Sequence, residues 1–327
     1  MYKRQPWNSG GRGRCVAGPS RGHVRRAKEG AMSRPVLAGV DGSERSLAAA
    51  DWAAREAVSR GVPLLVVHAS PPLLGGVVPG PAAQTLRQVG ERMLQRVTAD
   101  LGARHPDLEV RGEQTADAPP DALLARAHEA GLLVVGARGS GGFEGLAVGS
   151  VALRVAAAAA CPLVLVPERP LAAFGRGTGA AAGAAGIVAG FDAHRPVGEV
   201  ADFAFAGARA RGIALRVVQA WRLPAEAVSP RTLFVTEEDR ATWEDQEVQL
   251  MSDALRTWQD KYPEVSVRAD VVLLHPAEAL VNASEGADLL VVGRRTRPDA
   301  AEGRLGPVTH AVLHHARCPV AVVPHTG

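Results

Sequence analysis

Residues 132–168 read LLVVGARGSGGFEGLAVGSVALRVAAAAACPLVLVPE, and this stretch decides the fold of the chain. It contains two runs of consecutive apolar residues, LLVV and LVLV, separated by a glycine-rich loop and an alanine-rich segment of helical character. Runs that are apolar at every position are typical of strands covered on both faces, as parallel strands joined by crossover helices are. The stretch therefore predicts a strand, loop, helix and second strand of a parallel sheet.

The same pattern occurs twice in the 327 residues. The opening segments and second apolar runs of the two copies match at an offset of 151 residues, whereas the later segments match at 157, which indicates one insertion in the middle of the second copy. Each copy has about 140 residues, the length of a domain rather than of a solenoid repeat. The matching segments are PVLAGVDGS 35–43 with GIVAGFDAH 186–194, LLVVHA 64–69 with LRVVQA 215–220, LLVVGAR 132–138 with LLVVGRR 289–295, and CPLVLVPE 161–168 with CPVAVVPH 318–325.

Within each copy, short apolar runs alternate with longer amphipathic stretches, which predicts an α/β fold of two tandem, doubly wound five-stranded parallel sheets. Such sheets bind ligands at the carboxyl ends of their strands. In the first copy we expect strands near 35–40, 63–69, 107–111, 132–136 and 163–167, and helices near 44–60, 82–103, 119–130 and 150–160. We divide the chain into a disordered leader (1–31), a first domain (32–168, repeat 1), a Gly/Ala linker (169–185) and a second domain (186–327, repeat 2).

Composition limits the classes of partner. The leader holds eight Lys/Arg and one acid, so the rest of the chain has 29 basic and 33 acidic residues and a net charge of −4. That balance gives no nucleic-acid footprint, and no apolar run is long enough for a membrane span or a secretion signal. Three cysteines (Cys15, Cys161 and Cys318) are too few for a disulfide framework, which favours the cytoplasm. The leader is either an upstream mis-start or a basic arm.

The loop after the fourth strand is the strongest candidate for a binding site. Six of the fifteen residues from Gly136 to Ser150 are glycine, which lets backbone N–H groups converge on an anion. Gly149 and Ser150 come directly before a helical run, where free N–H groups and the helix dipole favour phosphate. A flexible loop with Ser150 as an ordinary N-cap remains the alternative. Neither a Walker A motif nor a GxGxxG after the first strand is present.

The spacing Gly136-x2-Gly139-x9-Gly149-Ser150 is similar to the G-x2-G-x9-G-[ST] signature of ATP-binding universal stress proteins. The resemblance extends over about 32–168 and 186–327, and the tandem form looks like the actinobacterial branch of that family. It implies a 3-2-1-4-5 strand order, pairing through the fifth strands, and a cytoplasmic stress-response or regulatory protein that binds ATP, with Mg²⁺ accompanying the phosphates. Intramolecular pairing of the two domains and a homodimer both fit it; no nucleic acid or membrane partner is implied.

Site residues follow from the resemblance. Asp41 would contact the adenosine end, and Ala69 would line the adenine pocket. Gly136 and Gly139 would approach ribose and phosphates, and Gly149 with Ser150 would hold the phosphates. The family often has a further hydroxyl where this chain has Ala152. Arg138, inside the loop, could also contact a phosphate. Two of these residues have simpler interpretations: Asp41 as part of an ordinary turn and helix cap, and Arg138 as an exposed loop arginine.

The second copy departs from the signature. Its aligned residues are Asp192, Gly293, Thr296, Gly306 and Pro307, so a Cβ and a proline ring stand where backbone should approach the ligand. We therefore expect a degenerate second site (Asp192, Gly293 and Gly306), although a cationic loop could retain some anion affinity. The arginines of that loop are Arg294, Arg295, Arg297 and Arg304.

No residue of the sequence has the setting of a catalytic base, so we assign no catalytic residue and expect at most slow ATP hydrolysis. His68 is interpreted as a hydrogen-bonded wall residue, and His310, His314 and His315 as a surface helix rather than a metal site. Trp243 and Trp258 are expected to pack on the sheet. Two other functions stay open: an interaction or dimerisation module of this fold that binds no nucleotide, and an enzyme of the related adenine-nucleotide α-hydrolase-like group.

Overall fold

A computed structural model describes residues 34–70, 80–139, 147–167, 186–223, 236–296 and 303–327. The leader with Cys15, the linker at 169–185, residues 140–146 of the glycine-rich loop and Arg297 lie outside these described residues. For residues 80–83 only the backbone is described.

Strands and helices alternate through both repeats, as the sequence predicts. The strands are β1 Val36–Gly39, β2 Leu64–Ala69, β3 Val110–Thr115, β4 Leu132–Gly136, β5 Leu163–Val166, β6 Ile187–Gly190, β7 Leu215–Trp221, β8 Val267–Leu273, β9 Leu289–Arg295 and β10 Val320–His325. The helices are α1 Glu44–Arg60, α2 Gly80–Arg104, α3 Pro119–Ala127, α4 Ser150–Ala158, α5 Gly198–Arg211, α6 Glu237–Lys261, α7 Pro276–Ala283 and α8 Pro307–His315.

The ten strands form one sheet in the order β3-β2-β1-β4-β5-β10-β9-β6-β7-β8. Each half has the order 3-2-1-4-5, and all pairs within a half are parallel. The two halves meet where β5 pairs antiparallel with β10, with Val164 opposite Ala321. The predicted fold class, two tandem doubly wound sheets, is thus confirmed.

The third strand is the element whose predicted position was wrong. We expected it near 107–111, but β3 is Val110–Thr115. Residues 105–108 instead form a turn in which Leu108 N–H donates to the His105 carbonyl at 3.0 Å, as the Pro106–Asp107 pair favours. Because β3 is an edge strand with a largely solvated sequence, VRGEQT, it lacks the apolar run that marks the central strands.

The insertion in repeat 2 lies between its second strand and the following helix. Leu215 of β7 follows Leu64 of β2 by 151 residues, whereas Glu237 of α6 follows Gly80 of α2 by 157. The six extra residues therefore lie between β7 and α6 in the sequence.

Alternate strand residues face two apolar layers, one on each side of the sheet. Val36 and Ala38 belong to the layer that contains α1, α2, α5 and α6, whereas Leu37 belongs to the layer that contains α3, α4, α7 and α8. Alanine is frequent in both layers, which lets helices approach the strands closely, and the buried aromatic side chains Trp52, Phe205 and Tyr262 belong to the first layer. Trp258 packs at the edge of the first layer and meets Phe191 edge to face at 6.0 Å.

Two charged contacts join the repeats, one on each side of the sheet. Glu56 of α1, which is 4% exposed, accepts hydrogen bonds from Arg60 at 2.6 Å and from Arg211 of α5 at 2.5 Å. On the other side, the buried guanidinium of Arg294 donates to the carbonyls of Ala157 and Ala159, at the end of α4, at 2.9 and 2.5 Å. Burial lowers the pKa of both Arg211 and Arg294.

Within the described ranges, no helix combines the length and apolarity that crossing a membrane requires.

Candidate functional site

The turn after β1 fixes Asp41 at the carboxyl edge of the sheet. Gly42 has a positive φ of 82°, which favours glycine there. Asp41 Oδ1 accepts hydrogen bonds from Ser43 N–H at 3.0 Å and from Ser43 Oγ at 2.6 Å. Ser43 in turn N-caps α1, where its Oγ accepts from Ser46 N–H. Asp41 is therefore part of a turn and cap, as its simpler alternative predicts, and it also lines a cavity.

The loop after β4 brings Gly139 against Asp41. A Cβ placed on Gly139 would lie 2.6 Å from Asp41 Oδ2, so any other residue here would have to displace a carboxylate already held by Ser43. Gly149 is less constrained, because the nearest atom to an added Cβ is 3.6 Å away. Glycine is thus a steric requirement at only one of these two positions.

Helix α4 points its N-terminus at the same cavity. Gly149 is the N-cap residue, and its own N–H donates to the Ala137 carbonyl at 2.8 Å, so this group is not available to a phosphate. The next three N–H groups, on Ser150, Val151 and Ala152, precede the first i→i−4 bond of the helix, and all three residues line the cavity. No acidic residue lies in the first turn of α4. This end of the helix suits an anion.

The opposite wall is apolar and is formed by the ends of β2 and α3. Val67, Ala69, Pro119 and Leu123 line it. His68 also lines the cavity, with Nδ1 2.9 Å from the Val40 carbonyl and Nε2 2.9 Å from Ser70 Oγ. With both ring nitrogens engaged, His68 is a structural wall residue rather than a general base.

These elements enclose a cavity of about 400 Å³, which we name the repeat-1 cavity. All seven residues that the sequence singled out line it. They are Asp41, Ala69, Gly136, Arg138, Gly139, Gly149 and Ser150.

Repeat 2 has a cavity at the equivalent place, which we name the repeat-2 cavity, of about 530 Å³. Asp192 and Gly293 line it, whereas Gly306, the N-cap residue of α8, does not. Thr296 donates from both N and Oγ1 to the His325 carbonyl, at 2.7 and 2.8 Å. Pro307 occupies the first position of α8 and brings no N–H.

Arg294 and Arg295, which the sequence analysis placed in the second loop, are instead the last two residues of β9, and both are engaged away from this cavity. Arg294 binds the end of α4 in repeat 1, and Arg295 Nε donates to the Gly327 carbonyl at 3.1 Å. The anion affinity that a cationic loop could retain is therefore reduced by these two contacts.

The histidines of α8, His310, His314 and His315, lie side by side along the helix. The rings of His310 and His314 are 4.6 Å apart, and burial, with His310 and His315 beside it, lowers the pKa of His314. In the described part of the chain, no group of three or more His, Cys, Asp or Glu residues is arranged to hold a metal ion. Burial also raises the pKa of the Cys161 thiol to about 11, which makes it a poor nucleophile.

Sequence reasoning missed a polar cluster in the repeat-2 cavity. Glu247 of α6 accepts a hydrogen bond from Gln219 Nε2 and lies 3.0 Å from His194 Nε2. The sequence could have revealed this cluster, because the offset of 151 aligns Gln219 with His68 and the offset of 157 aligns Glu247 with Gly90. In repeat 1, a Cβ on Gly90 would lie 2.8 Å from the His68 ring, so the two positions are coupled.

Comparisons with known proteins agree with this architecture. The model of the universal stress protein family matches residues 32–167 and again residues 186–324. The universal stress protein Rv2005c of Mycobacterium tuberculosis is 32% identical over 314 residues, which cover 89% of this chain and 99% of that protein. The universal stress protein Rv1996 of the same species is 29% identical over 310 residues, covering 88% and 94%.

Solved structures also share this fold over most of the chain. A universal stress protein from Archaeoglobus fulgidus DSM 4304 superposes with a TM-score of 0.65 at 15% identity, covering 89% of this chain and 98% of that one. At this identity the likeness concerns the fold alone.

Proposed function

This chain belongs to the universal stress protein family, and from that premise we propose that repeat 1 binds ATP and that the protein acts as a nucleotide-dependent stress-response regulator in the cytoplasm. The observation that carries the proposal is the repeat-1 cavity, where an apolar wall, a carboxylate and a helix N-terminus converge. A nucleotide needs these three environments for base, ribose and phosphates respectively.

The adenine lies against Val67, Ala69 and Leu123, where apolar side chains and the end of β2 meet. Asp41, with Oδ1 held by Ser43, presents its carboxylate to the ribose hydroxyls. Because Gly139 has no Cβ, the loop backbone can lie close both to the Asp41 carboxylate and to the ligand that it binds.

The phosphates lie at the start of α4, where the N–H groups of residues 150–152 and the helix dipole favour negative charge. The Ser150 hydroxyl adds one donor, and Ala152 adds none. Arg138, which also lines the cavity, supplies charge for a phosphate oxygen. Mg²⁺ would accompany the phosphates, held mainly by phosphate oxygens and water.

A second candidate function is an interaction module that binds no nucleotide. Ala152, which lacks the hydroxyl, and the antiparallel β5–β10 junction favour it, since the junction gives the fold a pairing role that needs no ligand. Nucleotide binding by the full chain separates the two candidates.

The test is calorimetric titration of the full chain with ATP and Mg²⁺, beside a matched pair of glycine variants. We expect Gly139→Ala to weaken ATP binding at least tenfold (~1.4 kcal/mol), because its Cβ displaces the Asp41 carboxylate. Gly149→Ala should change the affinity less than threefold (~0.6 kcal/mol), because its Cβ has room and its N–H is already used.

Absence of ATP binding by the unaltered chain would favour the interaction module. Equal losses in the two glycine variants would contradict the geometry described for Gly139, even if ATP binds.

A further inference from the structure

The described sheet has an open edge at each end. β5 and β10, the last strands of the two repeats, pair with each other inside the chain, so a second copy cannot add to either of them. In the described part of the chain, β3 has β2 as its one neighbour and β8 has β7. An open edge presents backbone N–H and C=O groups that can pair with another chain. A partner that extends the sheet can therefore join only at β3 or β8.

The pairing of β8 with β7 determines which backbone groups of β8 face outward. Leu215 N–H donates to the Ser266 carbonyl at 2.9 Å, and Leu215 is the Cα partner of Val267. In a parallel ladder only alternate residues of a strand bond to a given neighbour, so the even-numbered residues of β8 bond to β7. The N–H and C=O groups of Val267, Ala269 and Val271 therefore face away from the sheet.

The two open edges differ in their side chains. Residues 267–273 read VRADVVL, whereas residues 110–116, which align with them at the offset of 157, read VRGEQTA. β8 thus has an alanine and two valines where β3 has glycine, glutamine and threonine. Ala269 is exposed, and so is Val248 on α6, the helix that packs on β8. A long apolar edge strand favours pairing with another chain, and this description fits β8 rather than β3.

Two opposite charges lie on one face of β8. Arg268 and Asp270 are two positions apart, so their side chains project from the same face of the strand. Arg268 Nε donates to Asp270 at 2.9 Å, and Arg216 of β7 donates to the same carboxylate. The Arg268 side chain is nevertheless 72% exposed. Charged side chains of this kind protect an edge strand against most partners, so a partner of β8 must match them.

The corresponding charges of β3 are paired within repeat 1. Arg111 Nε donates to Glu109 at 2.7 Å, and Glu113 accepts from Arg126 of α3. Repeat 2 has a serine and an alanine where repeat 1 has Glu109 and Arg126, so the charges of β8 lack these two partners. The charged face of β8 is therefore the more open to a matching strand.

From these observations we propose that β8 pairs with β8 of a second copy of this chain, antiparallel about a twofold axis at Ala269. In this register Ala269 faces the partner's Ala269 and Val267 faces the partner's Val271, in hydrogen-bonded pairs. Arg268 lies opposite the partner's Asp270, in the non-hydrogen-bonded pairs whose side chains are closer together. The charges that protect β8 against an arbitrary strand thus favour an identical one.

The charges also select this register among its neighbours. A twofold axis at Arg268 or at Asp270 would place two like charges directly opposite each other, which opposes pairing. An axis at Val271 would leave both charges opposite apolar side chains. Only the axis at Ala269 brings each charge of β8 opposite its complement.

The test is sedimentation velocity of the full chain over a range of concentrations, without nucleotide. We expect a monomer–dimer equilibrium that Arg268→Asp weakens at least about tenfold, because two pairs of carboxylates then lie opposite each other. The double variant Arg268→Asp/Asp270→Arg exchanges the charges and should restore the dimer to within about threefold. The matched control is Arg111→Asp, the same change at the aligned position of β3, which should leave the association unchanged.

Ala269→Pro tests the backbone pairing. It removes an N–H that faces away from β7, so the ladder within the chain stays intact, whereas the pairing at the twofold axis loses two hydrogen bonds and meets two proline rings. We expect a circular dichroism spectrum like that of the unaltered chain and no dimer at any concentration. The charge variants test the same contact in case the proline disturbs the strand.

Three outcomes would overturn the proposal. One is a chain that remains monomeric at every concentration. A second is a dimer that Arg111→Asp weakens as much as Arg268→Asp does, or that the double variant does not restore, since the contact would then involve other residues. The third is growth beyond the dimer, because pairing of β3 with β8 of the next copy is open-ended. None of these measurements depends on nucleotide binding by repeat 1.

Discussion

Individual residues of one motif have different roles in the repeat-1 cavity. Gly139 is required because its absent Cβ would meet Asp41, whereas Gly149 has space and uses its N–H within the loop. Asp41 is both a cap residue and a cavity residue, so its two interpretations do not exclude each other. The sequence motif does not show which of these residues is sterically required, whereas the atoms around each residue in the structure do.

At the same scale, we predict that Cys161 is unreactive in the native protein. With a pKa of about 11, about one thiol in a thousand is ionised at pH 8, and the side chain is buried. In a Cys15→Ser chain, an aromatic disulfide reagent should label Cys161 and Cys318 slowly until urea is added. Rapid labelling of Cys161 in the native protein, mapped by mass spectrometry, would contradict this.

Helix α4 depends on both repeats. Its N-terminus lines the repeat-1 cavity, and Arg294 from repeat 2 binds the carbonyls at its C-terminus, where a cation also complements the helix dipole. The residue equivalent to Arg294 in repeat 1 is Ala137, so this contact is asymmetric. The end of β9 in repeat 2 therefore supports the helix that bears the proposed phosphate site.

We predict that Arg294→Met lowers the free energy of unfolding by about 1–3 kcal/mol, because two carbonyls at the end of α4 lose their donor. The matched control is Arg295→Met, whose exposed side chain makes one hydrogen bond to Gly327, and its change should stay within about 0.5 kcal/mol. Urea denaturation followed by circular dichroism measures both. Equal effects of the two variants would argue against the capping role.

Helix α8 should make stability depend on pH through His314. Its pKa is lowered in the folded protein, so the unfolded chain binds the proton more readily and stability falls as the pH drops below about 6.5. We expect His314→Gln to lose less stability than the unaltered chain between pH 7 and pH 5. His128→Gln, at an exposed position after α3, is the control. An unchanged pH profile for His314→Gln would contradict the prediction.

The whole molecule is organised around the β5–β10 junction. Both apolar layers include residues from each repeat, and the Glu56–Arg211 and Arg294–α4 contacts cross between the repeats on opposite sides of the sheet. Residues 33–327 accordingly form one compact unit.

We therefore predict that the two repeats unfold together in one transition. Apart from Trp7, Trp52 reports on repeat 1 and Trp221, Trp243 and Trp258 report on repeat 2, so a Trp7→Phe chain and a Trp7→Phe/Trp52→Phe chain separate the fluorescence of the two halves. Urea curves from fluorescence and from circular dichroism should coincide in both proteins. Two resolved transitions would show that the junction does not couple the repeats.

The sequence by itself determined the fold class and most element positions. Consecutive apolar runs such as LLVV can be buried only between two layers of helices, and the repeat at offsets of 151 and 157 required the arrangement to occur twice. Glycine spacing and a helix start, which are local features of the chain, singled out the loop after β4, and the family resemblance added Asp41 and Ala69. Seven of the residues that line the repeat-1 cavity were named in this way. Sequence reasoning misplaced β3, whose polar edge sequence carries no such signal.

Only the tertiary structure decided which groups meet across these elements. The close approach of Gly139 to Asp41, the hydrogen bonds of Arg294 to α4, and the cluster of Glu247, Gln219 and His194 all join residues more than two dozen positions apart. Such contacts depend on how strands and helices stack, which local sequence patterns do not encode. The physical reason is that periodicity fixes which face of an element is buried, whereas the packing of several elements fixes which atoms lie opposite each other.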